Sequence, residues 1–136
     1  MSLAGVGSGP VNGNMKAATS CSGAGLLLKV DGTNTLNLVS AVGNTPLGVS
    51  FSHSHKDKDG ALVTGGRVSF YPSGGVLYIQ SQAVTWTQGS TAYAHTDGTV
   101  TNVDGGSATV IGTYVGQGET ATAGDLVAIN TNNAGW

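Results

Sequence analysis

The sequence predicts an all-β protein, a compact β-barrel or β-sandwich built from two sequence-similar halves and preceded by a flexible Gly-rich N-terminal arm. Three observations predict it. First, the chain repeats itself. Residues 17–32 (AATSCSGAGLLLKVDG) lie over residues 83–98 (AVTWTQGSTAYAHTDG) at an offset of 66, matching Ala17 with Ala83, Thr19 with Thr85, Gly23 with Gly89 and Asp31-Gly32 with Asp97-Gly98. Farther on the offset is 64, with Gly48 on Gly112 and Gly60-Ala61-Leu62-Val63 on Gly124-Asp125-Leu126-Val127. Second, no ten-residue window from residue 17 onward places apolar residues at the i, i+3, i+4, i+7 spacing of a helix. Third, short β-branched or aromatic runs bounded by turn residues recur along the whole chain.

Element by element, residues 1–16 form the arm: Gly5, Gly7, Gly9, Pro10 and Gly13 separate the isolated apolar residues Leu3, Val6, Val11 and Met15. So much glycine makes ordering costly in backbone entropy, and such an arm is expected to be mobile when free. Residues 17–136 form one β domain with its internal repeat at about 17–82 and 83–136. Strands are expected at 26–30, 35–42, 47–52, 67–71, 76–80, 83–87, 91–95, 99–103, 108–115 and 126–130. Asp31-Gly32 and Asp97-Gly98, at equivalent places in the halves, read as type I′ hairpin turns, because Asp-Gly supplies the positive φ such turns require. Pro72-Ser73-Gly74-Gly75 reads as a further hairpin joining 67–71 to 76–80. The single cysteine, Cys21, excludes an internal disulfide and reads as a small buried side chain.

Composition limits function. The chain has 136 residues, the size of one domain, and can bury roughly two-thirds of its unfolded surface. Only 9% of residues are charged, yet 39% are apolar and the net charge is -2, which favours a folded chain with a polar, weakly charged surface. Lys16, Lys29, Lys56, Lys58 and Arg67 are dispersed, so no cluster exists to release counterions from a nucleic acid. No apolar run approaches a membrane span, and the N-terminus lacks the pattern of a secretory signal. Neither nucleic acid nor membrane is expected as a partner.

Residues with chemical potential are few. His53 and His55 would share one face of a strand and, with Asp57 or Asp59, could supply a mixed nitrogen and oxygen metal site. The counterpart stretch in the second half, residues 116–123, offers only Glu119, which favours a solvated loop tip, so no metal or cofactor is expected. His95 is the remaining histidine and reads as a surface or groove residue rather than a general base. Asp31, Asp97 and Asp104 are assigned to turns, leaving no carboxylate pair for glycoside chemistry. No catalytic residue is assigned and the protein is not expected to be an enzyme. Trp86, Tyr93, Tyr114 and Trp136 are the aromatic candidates for contact with a partner or a glycan.

The series Gly23-Ala24-Gly25, Pro46-Leu47-Gly48-Val49, Asp59-Gly60 with Val63, Arg67-Val68-Ser69-Phe70, residues 83–89 leading to Ala92-Tyr93, Asp97-Gly98-Thr99-Val100, Ile111-Gly112 and Ala123-Gly124-Asp125-Leu126-Val127 resembles the capsid decoration (cement) proteins of tailed bacterial and archaeal viruses. The resemblance spans about residues 17–130, and the His/Lys/Asp loop at 53–59 and the Gly-rich arm depart from it. It implies a small β body that binds the outside of an icosahedral head and stabilises it, with the major capsid protein as partner, as a homotrimer, on the virion exterior after synthesis in the host cytoplasm. Leu3, Val6, Val11 and Met15 would then be the capsid-contacting residues of the arm. The alternative reading is a carbohydrate-binding or adhesive β module on a virion or cell surface.

Overall fold

Neighbouring leucines on one strand set the layering of the molecule. Residues 16–17, 21–32, 35–51, 57–61, 67–132 and 134–136 are described by a computed structural model. Side chains alternate across a strand, so Leu27 and Leu28 face opposite ways, and both are buried. Leu27 joins a large cluster with Val49, Leu77, Ile79, Ile111, Val127 and Ile129. Leu28 packs on the other side with Cys21, Leu26, Leu36, Val68 and Phe70. Full burial of each such side chain contributes about 1.5–3 kcal/mol, so both faces of this strand help hold the fold. Cys21 is buried as the sequence indicates, its thiol directed at the Gly23 carbonyl at 3.3 Å.

The first sheet holds β1 (Lys16–Ala17), β2 (Leu27–Val30), β3 (Thr35–Leu38), β4 (Gly48–Ser50) and β5 (Phe70–Pro72) in the order β1-β3-β2-β4-β5. The chain continues through β6 (Val76–Gln80), β7 (Thr85–Trp86), β8 (Thr91–Ala94), β9 (Val100–Thr101), β10 (Val110–Tyr114), β11 (Glu119–Thr120) and β12 (Leu126–Asn130). A second sheet has the order β6-β12-β10-β8-β9, and β7 pairs with β11 beside it. Strand pairs are antiparallel except β1 with β3. The large cluster lies between the two sheets. The fold is thus all-β, with several antiparallel sheets packed together and, among the described residues, no closed barrel.

The sequence repeat and the sheet orders run together. In the first half β3-β2-β4 are neighbours in that order, and in the second half β9-β8-β10, their counterparts by alignment, are neighbours in the same order. Gly48 and Gly112 explain why both halves keep a glycine there. A Cβ on Gly48 would meet the Phe70 ring and come within 2.5 Å of the Tyr71 carbonyl oxygen; one on Gly112 would meet the Asn130 carbonyl and lie 2.8 Å from Ile129 Cγ2. In both halves the next strand crosses too closely for any side chain.

Three expectations need correction. Residues 72–75 do not close a hairpin, because β5 and β6 belong to different sheets. The connection is anchored to the chain after β12 instead: Thr131 Oγ1 accepts from Gly74 N at 2.8 Å, Asn132 Oδ1 from Gly75 N at 2.6 Å, and Thr131 N donates to Gly75 O at 2.9 Å. Lys16, assigned by sequence to the arm, is a strand residue paired with Thr35. The two Asp-Gly turns also differ. Asp97 and Gly98 both take positive φ, 67° and 80°, as a type I′ turn requires, whereas only Gly32 does so in the first half, at 95°.

That difference has a measurable consequence. A Cβ on Gly98 would lie 3.0 Å from the Leu27 carbonyl oxygen and 3.4 Å from Leu26 Cβ, while one on Gly32 would meet nothing within 4 Å. Gly32→Val is expected to cost only the left-handed backbone strain, about 1–2 kcal/mol. Gly98→Val adds a clash with buried backbone and is expected to lose at least about 1 kcal/mol more. Urea unfolding of the two variants side by side checks the ranking.

Candidate functional site

An apolar groove lies where the edges of the two sheets approach each other. Ala24, Gly25, Val49, Ser50, Phe51, Tyr71, Val76, Leu77, Tyr78 and Leu126 line a groove of about 370 Å³. None of these residues is charged. Strand alternation builds it: in β6 Leu77 and Ile79 turn inward and are buried, which sends Val76 and Tyr78 outward. Tyr78 is 62% exposed, Leu126 50% and Phe51 46%. Phe51 and Tyr71 meet edge to face, with ring centres 5.5 Å apart.

A stitch of hydrogen bonds fixes one end of the groove. Ser50 Oγ donates to Gly23 O at 2.8 Å and accepts from Leu26 N at 2.9 Å. Gly25 N donates to Ser50 O at 2.8 Å, Gln80 N donates to Gly25 O at 2.7 Å, and Gln80 Nε2 donates to Ala24 O at 2.8 Å. Residues 23–26 therefore tie β4 of one sheet to β6 of the other. The groove walls hold no carboxylate, imidazole or amine; their side-chain polar atoms are the hydroxyls of Ser50, Tyr71 and Tyr78.

The aromatic residues singled out by sequence do not converge on an open surface. Trp86 and Tyr114 are each only 1% exposed and stack on one another with ring centres 5.2 Å apart. The indole donates to Ser81 Oγ at 2.8 Å, which satisfies a buried serine. Neither ring can present a face to a sugar, because each spends its face on the core. Tyr114 Oη donates to Glu119 Oε1 at 3.0 Å and accepts from Gly118 N at 3.1 Å. Burial pushes the pKa of this hydroxyl above the ordinary tyrosine value, the Gly118 N–H opposes the rise, and the Glu119 carboxylate adds to it. Trp136 is half-buried, donating from Nε1 to Ile111 O at 2.7 Å and accepting from Ser73 Oγ at its carbonyl. It packs against the large cluster of its own chain. Tyr93 alone of the four is on the outer side of the second sheet, between buried Ala92 and Ala94.

Leu3, Val6, Val11, Met15, His53 and His55 lie outside the described residues. Asp57 is exposed, and its Oδ1 accepts from Asp59 N and Ala61 N at 2.9 Å, a turn-stabilising role. Among the described residues, no three His, Cys, Asp or Glu side chains are grouped to hold a metal ion, and no helix is long and apolar enough to cross a membrane. Around His95, Thr99 Oγ1 donates to Asp97 Oδ1 at 2.8 Å and Gln82 Nε2 donates to Thr99 Oγ1 at 2.7 Å. This network holds the Asp97-Gly98 turn. His95 itself lines a second groove, of about 400 Å³, with Val42, Ala83, Val84 and Val103.

Sequence reading missed Phe51, Tyr71, Val76, Tyr78 and Leu126. A signal was present in residues 76–79, Val-Leu-Tyr-Ile, which are apolar at both parities. In a strand with only one buried face, half of such a run must be exposed. No protein-family model matches this chain and no curated protein matches it.

Proposed function

We propose that the protein is a structural virion protein, a head decoration or cement protein that binds the outer surface of an icosahedral capsid as a homotrimer. The observation that carries this reading is the uncharged, apolar groove between the sheet edges, a surface suited to another protein. The serial likeness of residues 17–130 to capsid decoration proteins supports it, as does the repeated β body with its weakly charged composition. Each copy bound to assembled shells and not to free subunits favours the assembled state by mass action. The glycan-binding alternative loses Trp86 and Tyr114 as stacking platforms and would fall to Tyr93, half-buried Trp136 and the rings of Phe51, Tyr71 and Tyr78.

The groove makes the proposal testable by one substitution. Tyr78 is exposed on an edge strand, so Tyr78→Glu is expected to leave the melting temperature within about 2 °C of wild type, since a change well under 1 kcal/mol moves it little. A carboxylate facing an apolar partner should weaken attachment to undecorated capsids at least about tenfold, or about 1.4 kcal/mol. Unchanged attachment with an intact fold would remove the groove from the capsid interface, and a glycan-array signal abolished by the same variant would favour the alternative.

A further inference from the structure

We propose that Asp104 is a site of spontaneous covalent modification, where the aspartyl link to Gly105 closes to a cyclic imide and reopens as isoaspartate. The chemistry needs only water. Gly105 N attacks the side-chain carboxyl carbon of Asp104, so an N–C bond forms and a C–O bond of the carboxyl breaks. The oxygen leaves as water, with the nitrogen's proton and the carboxyl's own. Water then opens the ring at either carbonyl. Cleavage at the side-chain carbonyl restores aspartate, and cleavage at the main-chain carbonyl leaves the chain running through Cβ. The product has the atoms of the original chain, so no oxidant or other reactant is consumed. A glycine after the aspartate favours closure, because no Cβ crowds the attacking nitrogen.

Asp-Gly steps occur at 31–32, 59–60, 97–98 and 104–105, and the fold treats them differently. Gly98 is buried, and its N donates to Val39 O at 2.9 Å. Gly60 N donates to Asp57 O at 3.0 Å. Both nitrogens are engaged, and each must be released by a local opening before it can attack. Gly32 N donates to nothing among the described residues, but Asp31 Oδ2 accepts from Asn37 Nδ2 at 3.2 Å, which draws that carboxylate toward β3.

Asp104 meets none of these obstacles. It lies in the connection from β9 to β10, where residues 103–107 are all exposed. The connection is held at its ends, by Asn102 Nδ2 donating to Thr85 O at 2.6 Å and Thr109 N donating to Val42 O at 2.8 Å. Between them Asp104 Oδ1 accepts from Gly106 N at 3.0 Å. That bond spans the peptide between Asp104 and Gly105 and curls the carboxyl back over it, as in an Asx turn. Among the described residues Gly105 N donates to nothing. A free nitrogen and the carbon it must reach are thus held together in contact with water. Val103 and Gly105, on either side, line the second groove with His95. Isoaspartate lengthens the main chain between them, so the modification reshapes that groove as the protein ages.

The test uses the full-length protein without substitution and no capsid, so its outcome is separate from that of the decoration reading. The protein is held for weeks in neutral buffer made with heavy-oxygen water, which labels every site that passes through the ring, whichever way the ring opens. Peptides sequenced by electron-based fragmentation then assign label and isoaspartate to each position. Deamidation at Asn12-Gly13, which lies outside the described residues, is read apart in its own peptide. In the folded protein Asp104 is expected to exceed Asp59 and Asp97 at least about tenfold, because their nitrogens must first be freed, and to exceed Asp31 as well. In urea, where these hydrogen bonds are lost, the Asp-Gly steps should converge. Equal labelling of the Asp-Gly steps in the folded protein overturns the proposal, as does a lead by Asp31, Asp59 or Asp97.

Discussion

Gly112→Ala is expected to be among the most damaging single-methyl additions to this protein, lowering stability by about 3 kcal/mol. The added carbon would meet the Asn130 carbonyl and Ile129 Cγ2, one of them backbone in a paired strand and the other a fully buried side chain. Neither can swing aside as a surface lysine would. Gly48→Ala should behave alike in the first half, against the Phe70 ring and the Tyr71 carbonyl. Guanidinium unfolding of both variants checks the pair. A Gly112→Ala midpoint equal to wild type would mean that β10 and β12 do not cross as described.

Trp86→Ala is expected to cost about 3–5 kcal/mol, the range for removing a large buried aromatic side chain. The loss has two parts. The indole fills the space over Tyr114 in the large cluster, and its N–H satisfies buried Ser81 Oγ. Trp86→Phe keeps most of the packing but leaves that oxygen without its donor, and should lose about 1–3 kcal/mol. Near-ultraviolet circular dichroism with urea unfolding separates the two variants. If Trp86→Ala proved as stable as wild type while abolishing sugar binding, the indole would have to be outside, and the adhesive reading would return.

Much of the fold was legible because glycine and aspartate mark turns and because the chain repeats. Strands 76–80 and 126–130 match the sequence expectation at both ends. Others shortened, as 35–42 became Thr35–Leu38, where Val39 leaves β3 and its N–H donates to Leu27 O. The Glu119–Thr120 strand escaped notice because Gly116, Gln117 and Gly118 before it read as loop, and only pairing with β7 makes it a strand. Residues 72–75 look like a local hairpin because turn chemistry reports where the chain bends, not which sheet it enters. The aromatic candidates failed for a related reason: Trp86 and Tyr78 look equally available in the sequence, and only tertiary packing buries the first and exposes the second. The groove was invisible because it unites residues from β4, β5, β6 and β12, which no local pattern connects.

The central claim is the proposed attachment to an assembled head, and copy counting on undecorated, expanded capsids of a virus whose genome encodes this chain tests it most directly. The account predicts saturation at a number matching the threefold and quasi-threefold positions of the shell, with bound protein raising the temperature at which the shells disrupt. Absence of binding to intact expanded shells would contradict it.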